Sequence, residues 1–292
     1  MKKILILGLL KGVATLPLWM LYGISDFICL VVYHVVKYRR RVVWQNLTEA
    51  FPDKDTVELV KIEREFYRYM CDVIVETVKL LHISPKNLKR RVEVINPEVI
   101  DAATARGKSV VLLLGHYGNW EWVQEISRYL DRRAYMASIY RPLNHHPWDE
   151  VYRRIRARWD VNIIPQNRAV RALLDKDHRP WICGFIADHR PRRTDEGNIV
   201  EFLNHYTSFV YNPEVIGRKV GAEFFFLEME RVRRGYYRIT FRRLDPVSGD
   251  APYPYMRAFW AKLEEVIKRK PAYWLWSHKR WKYDKVVKPP VR

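Results

Sequence analysis

Cysteine is scarce in this chain: Cys29, Cys71 and Cys183 stand far apart, and no Cys-x-x-Cys pair occurs. That excludes a disulfide framework and fits a reducing compartment. Acidic residues are in deficit, with 33 Asp and Glu against 52 Lys and Arg, a formal charge of +19. The expected partner is therefore anionic: a nucleic acid, an anionic membrane, a phosphorylated substrate or an acidic carrier protein. Zinc-finger spacing, RNP-like motifs and basic heptads are missing, which argues against nucleic acid. No glycine-rich loop is present to cradle a phosphate. His145, His146, His178, His189 and His205 lack metal-ligand spacing, so neither a metal nor another cofactor is expected. Internal repeats and low-complexity linkers are also lacking.

Apolar residues, by contrast, are plentiful at 48 % of the 292-residue chain, enough for one large α/β domain or two small ones. The 11 Trp and 18 Tyr suit a membrane–water interface and would equally suit base stacking.

The most informative stretch is Val110-Val-Leu-Leu-Leu-Gly-His-Tyr-Gly-Asn-Trp-Glu-Trp122. Its apolar, branched first half reads as a strand buried on both faces. Gly115 to Asn119 is small and polar, so the chain can turn there. From Trp120 the spacing of Val123, Ile126 and Leu130 fits one face of a helix. In mid-helix, residues five apart lie on rather different faces. Across a turn the gap can close, and Glu121 is expected to reach a ring nitrogen of His116, making a base with an orienting carboxylate. No serine or cysteine lies in this turn, so the proton to be removed is expected on a substrate hydroxyl. The bland alternative is a loop histidine beside a glutamate that complements a helix dipole.

The first 41 residues read as a membrane anchor and 42–292 as the catalytic domain. Gly12 to Val36 is mostly apolar with Asp26 its only formal charge, and Lys37-Tyr-Arg-Arg-Arg41 closes it. Lys11, Pro17 and Asp26 make it a poor spanning helix and a better one lying in the interface. In either case the basic cluster places the catalytic domain at the cytoplasmic face. A buried helical hairpin of a soluble domain is the competing reading.

Beyond the anchor, Pro52 ends one helix and Asp55 or Thr56 caps the next, whose stripe from Leu59 to Leu81 is core, packing onto the anchor or the sheet. Ser84-Pro85 starts another. Further strands are expected over Ala134 to Tyr140, Val161 to Ile164, Trp181 to Ala187, Glu223 to Glu230 and Tyr236 to Arg243, the last two joined through Arg234-Gly235. Helices are expected from Asp149, over Arg168 to Leu174, and from Tyr255 to Lys268. Alternating strands and helices predict an α/β fold, a mostly parallel central sheet with helices on both faces. Functional loops then gather at the strand carboxyl ends, where His116, Arg141 and Asp188 all fall.

Five blocks in order are similar to the late lipid A acyltransferases, within the glycerophospholipid-type acyltransferase superfamily. They are the basic run with Asn46-Leu47 and Phe51-Pro52, Gly115-His-Tyr-Gly-Asn-Trp-Glu121, Tyr140-Arg-Pro-Leu-Asn144, Ala187-Asp-His189 with its following arginines, and Trp274 to Lys282. Glu201 to Thr207 matches the family's phenylalanine-rich block only loosely. The resemblance implies His116 as general base with Glu121 as its partner. It implies a fatty acyl thioester on acyl carrier protein as donor, and a hydroxyl of an anionic, phosphorylated lipid A precursor as acceptor. An aminolipid, a glycolipid or a pigment precursor would use the same chemistry. Arg141 is the first candidate for a phosphate or oxyanion contact, with Asn119, Arg190 and Arg193 as further substrate-binding candidates. Asp188 either anchors an arginine or forms a plain ion pair. Trp120 and Trp122 are candidates to line an acyl channel or to be core. The implied location is the bacterial inner membrane, catalytic domain on the cytoplasmic face.

Overall fold

The computed structural model describes residues 2–131, 134–140, 149, 155, 159, 161–174, 179–191 and 198–282, with side chains described from residue 7 onward. Its centre is strand β2, Val110–Leu114, which is buried throughout. Such a run cannot sit at an edge or on a half-solvated sheet, and β2 indeed has a parallel neighbour on each side. These are β5 (Trp181–Ile186) and β8 (Glu223–Arg233). With β1 (Val92–Val94), β3 (Tyr135–Tyr140), β4 (Asn162–Pro165) and β9 (Tyr236–Arg243), they form a seven-stranded sheet in the order β1-β9-β8-β2-β5-β3-β4. The β8–β9 pair is antiparallel and the other pairings are parallel. That pair is a hairpin turning at Gly235, whose φ of 72° favours glycine. A separate two-stranded hairpin, β6 (Ile199–Phe202) with β7 (His205–Ser208), turns through Leu203 and Asn204.

Alternate residues of the strands feed two apolar clusters, one on each face. Val111, Leu113, Cys183, Phe224 and Phe226 join one; Val110, Leu112, Leu114, Ile182 and Phe225 join the other. The first face carries α3 (Arg40–Ala50), most of the apolar stripe of α4 (Thr56–Lys79), α7 (Ala169–Leu174), α8 (Asn212–Lys219) and α9 (Pro254–Arg269). The second carries α2 (Leu18–Leu30), α5 (Pro85–Lys89) and α6 (Glu98–Ala105), and α1 (Lys2–Thr15) packs there too. Asp55 caps α4 by accepting from the N–H of Glu58 at 2.8 Å, and Ser84 caps α5 through Asn87.

The apolar N-terminal segment is the one stretch, among the described residues, long and apolar enough to cross a membrane: Leu18–Val36, mean hydropathy 1.6. It runs as α2 and continues as a π-helix over Val31–Val36. It lies against α4, and its polar side chains pair with carboxylates that α4 buries. Tyr22 donates to Glu76 at 2.8 Å, Ser25 to Asp72 at 2.8 Å and Tyr33 to Glu63 at 2.9 Å. Arg231 and Arg234 from the β8–β9 hairpin complete Asp72, at 2.7 and 2.6 Å, so these charges are buried in pairs rather than alone. Leu18 and Leu21 share an apolar cluster with Val75 and Leu80. The apolar N-terminal segment is thus built into the packing of the chain that follows it. Its other face is apolar and open, with Trp19 74 % and Phe27 67 % exposed and Leu30, Val35 and Val36 beside them.

The expected strands are present with ends shifted by a few residues. The helix expected after Trp120 is a short 3-10 segment over Trp122–Arg128. Of the helix expected from Asp149, Asp149 and Ile155 are helical; the residues between them and the loop from Arg141 lie outside the described residues.

Candidate active site

Parallel register brings the site together. Leu114 at the end of β2 stands opposite Ile186 at the end of β5, and Ala187 N–H donates to the Leu114 carbonyl at 2.9 Å. Two residues further along each chain stand His116 and Asp188. Asp188 Oδ1 lies 2.7 Å from His116 Nδ1, and Asp188 Oδ2 accepts the His116 backbone N–H at 2.8 Å. Trp274 Nε1 donates to the same Oδ2 at 2.9 Å. The carboxylate is buried, while the imidazole keeps 14 % of its surface exposed. Burial alone would push the Asp188 carboxyl up. The adjacent His116 and His189 and the hydrogen bonds from His116 outweigh that, and hold it well below the ordinary carboxylate range. An ionised acceptor on Nδ1 fixes the tautomer with its proton there and leaves Nε2 as the basic nitrogen.

Glycine is required twice in this turn. A Cβ on Gly115 would lie 2.7 Å from Leu263 and 3.3 Å from Asp188 Oδ2; one on Gly118, where φ is +62°, would lie 2.6 Å from the Met229 carbonyl. The C-terminal segment clasps the turn from one side: Tyr117 bridges to Trp274, and Gly118 N–H donates to the Tyr273 carbonyl at 3.1 Å. From the other side, Tyr69 of α4 donates to the Gly118 carbonyl at 2.5 Å.

Among the described residues, the carboxylate hydrogen-bonded to the His116 ring is Asp188, where the sequence led us to expect Glu121. Glu121 is buried at the head of the 3-10 segment. The reason is topological: a neighbouring parallel strand delivers its side chain to the ring more directly than the tight turn can. Asn119 is fully buried, accepting from Trp122 N–H at 3.1 Å and donating to Glu76 at 2.6 Å, so its side chain stabilises the turn. Trp122 is core, its indole N–H on the Glu76 carbonyl at 3.0 Å. Trp120 is half-buried and meets the His116 ring edge-on, with centroids 5.2 Å apart. Arg190 follows the site at half burial. Arg141 and Arg193 lie outside the described residues.

Two histidines not foreseen as site residues crowd the base. The ring of His189 is 4.4 Å from that of His116, and the ring of His278 is 6.2 Å from that of His189. Burial lowers His278 to about 4, so it is neutral at ordinary pH. Trp274 and His278 sit in the aromatic C-terminal block, but no periodicity in that block says which loop it clasps. No group of three or more metal-ligating side chains is arranged to hold an ion among the described residues.

A histidine backed by a buried carboxylate at the carboxyl ends of two parallel strands has the geometry that general base catalysis in an α/β enzyme requires. The chain belongs to the bacterial lipid A biosynthesis acyltransferases: the model of that family matches residues 2–283. No curated protein matches the chain.

Proposed function

We propose that this acyltransferase moves a fatty acyl chain from an acyl carrier protein thioester to a free hydroxyl of a phosphorylated lipid A precursor, with His116 as the base. The observation that carries this reading is the 2.7 Å contact between His116 Nδ1 and Asp188 Oδ1. His116 Nε2 takes the hydroxyl proton as the oxygen attacks the thioester carbonyl. The tetrahedral intermediate then collapses, the C–S bond breaks, and the imidazolium returns its proton to the departing thiolate. Proton transfer of this kind contributes about a hundred- to ten-thousandfold. Asp188 orients the ring and stabilises the imidazolium; Glu121 is the site's second carboxylate, as the family resemblance suggests. The Trp122 N–H is committed to Asn119, so Arg141 is assigned to the oxyanion or to an acceptor phosphate, with Arg190 and Arg193 on acidic groups of the acceptor.

The membrane reading rests on the open apolar face of α2. A helix docked along α4 by three hydrogen bonds, two of them buried, has no separate path across a bilayer, so it lies in the cytoplasmic leaflet of the inner membrane. Trp19 and Phe27 point into lipid and Lys37, Arg39 and Arg41 meet anionic headgroups.

The test is the lipid profile of a deletion strain, complemented with wild type or His116→Ala. Wild type restores one acyl chain on lipid A and His116→Ala does not. Full restoration by His116→Ala removes the mechanism. A missing chain on an aminolipid, another glycolipid or a pigment precursor moves the acceptor.

A further inference from the structure

One buried carboxylate joins the membrane-facing helix to the catalytic turn. Glu76 on α4 is fully buried. Its Oε1 accepts the Tyr22 hydroxyl at 2.8 Å, from α2. Its Oε2 accepts Asn119 Nδ2 at 2.6 Å, from the catalytic turn, and the Tyr237 hydroxyl at 2.7 Å, from β9. Its backbone carbonyl takes the Trp122 indole N–H. Asn119 stands three residues after His116 and closes the turn onto Trp122 N–H. Tyr69, two helical turns before Glu76 on the same face of α4, holds the Gly118 carbonyl. Gly235 makes room for the link, since a Cβ there would lie 2.1 Å from the Tyr22 oxygen.

None of these side chains reaches the reacting atoms. Yet the helix that exposes Trp19 and Phe27 on one side contributes Tyr22 on the other. Removing one donor from a buried carboxylate leaves an unsatisfied acceptor, and the remaining partners must shift to compensate. We propose that Tyr22 and Glu76 are positioning residues: the seated α2 helix holds the His116 turn in its working geometry through the Tyr22–Glu76–Asn119 chain, so turnover depends on how that helix is seated. The inference rests on the acyl-transfer reading for its kinetic readout.

The test compares full-length wild type, Tyr22→Phe, Glu76→Ala and Glu76→Gln, each bound to vesicles of phosphatidylethanolamine and phosphatidylglycerol. Two readouts are taken: kcat and KM with acyl carrier protein thioester and a lipid A precursor, and backbone hydrogen exchange over residues 115–122. Tyr22→Phe and Glu76→Ala are expected to lower kcat roughly ten- to a hundredfold with KM unchanged, the scale of a small misplacement in a catalytic constellation. Exchange over 115–122 rises in both, while vesicle co-sedimentation of Tyr22→Phe equals wild type. Glu76→Gln keeps most of the turnover, because its amide oxygen still accepts from Asn119 and Tyr237 and its NH₂ can donate to the Tyr22 oxygen.

Wild-type kcat and wild-type exchange in Tyr22→Phe overturn the proposal. So does a Tyr22→Phe defect that tracks lost vesicle binding, or a Glu76→Gln variant as impaired as Glu76→Ala. Should Glu76→Ala not fold, Tyr22→Phe decides alone, since it removes a single oxygen. If wild type itself transfers no acyl chain, the acyl-transfer reading fails. The exchange readout then still decides the link: raised exchange upholds it and unchanged exchange overturns it.

Discussion

Asp188 accepts two N–H groups on one oxygen, from the His116 backbone and the Trp274 indole, and faces His116 Nδ1 with the other. A carboxylate so placed both sets the tautomer and carries the countercharge for the imidazolium. Asp188→Asn keeps the shape but presents a donor or a neutral acceptor to Nδ1, which favours the wrong tautomer. Its kcat is expected to fall on the order of a thousandfold or more, the scale of such changes in other base–carboxylate pairs. Glu121→Gln is expected to cost less, and steady-state kinetics of both variants in one assay gives the ranking. Near-wild-type turnover by Asp188→Asn would return the partner role to Glu121. The sequence pointed to Glu121 as the partner and gave Asp188 only an arginine or a plain ion pair, because Asp188 reaches the ring through a strand pairing across 72 residues. A second buried acid gives a pH prediction. Glu125 is fully buried, neither oxygen has a hydrogen bond among the described residues, and Arg128 Nε stands 3.8 Å away. Burial raises its carboxyl from 4.5 to about 7. The folded state therefore holds a proton that the unfolded state releases in the window from 4.5 to about 7. Stability contributed by the neutral form is present below that window and is lost as pH rises through it. Glu125→Gln removes the slope, so its thermal-melting advantage over wild type should grow across this window and level off above it. A pH-independent difference would contradict the burial argument.

At the scale of elements, the β2–turn and β5–loop segments were legible because a strand buried on both faces leaves an unbroken apolar run, and both runs end in polar residues. The β8–β9 hairpin was legible from Arg234-Gly235. Strand β1 was not, since three residues, Val92–Val94, are too few to show a period. The 3-10 form of Trp122–Arg128 was hidden because Val123 and Ile126 satisfy its three-residue repeat and the helical one alike. The N-terminal segment was read as apolar and interfacial from composition. Packing of the Leu59 to Leu81 stripe onto it was one of two readings, but the polar pairing with α4 could not be read, because the Tyr22, Ser25 and Tyr33 hydroxyls look incidental until their buried carboxylate partners are placed. The open face of α2 carries its own prediction. Trp19→Ser with Phe27→Ser removes two large side chains from the open side and none from the α4 contact. Co-sedimentation with anionic vesicles should weaken by roughly tenfold or more, from burial energies of about 1.5–3 kcal/mol per large apolar side chain, with the thermal melt unchanged. Unaltered vesicle binding would place the membrane contact elsewhere.

For the molecule as a whole, the +19 charge favours an acidic carrier protein and an anionic acceptor at an anionic surface. Association with both should slow as salt rises, since exposed charges are screened within about 8 Å at physiological ionic strength. KM for the carrier thioester is therefore expected to climb with salt while kcat holds; a salt-independent KM would argue against a charged donor. Composition pointed to anionic partners from the outset. It carried no information on how the apolar N-terminal helix, the long α4 helix and the His116 turn share one set of hydrogen bonds, which is a property of the assembled fold. The most direct measurement is mass spectrometry of a lipid A precursor incubated with acyl carrier protein thioester and purified wild type or His116→Ala enzyme. Wild type should add the mass of one acyl chain and His116→Ala none above background. Equal acylation by the two would contradict the account.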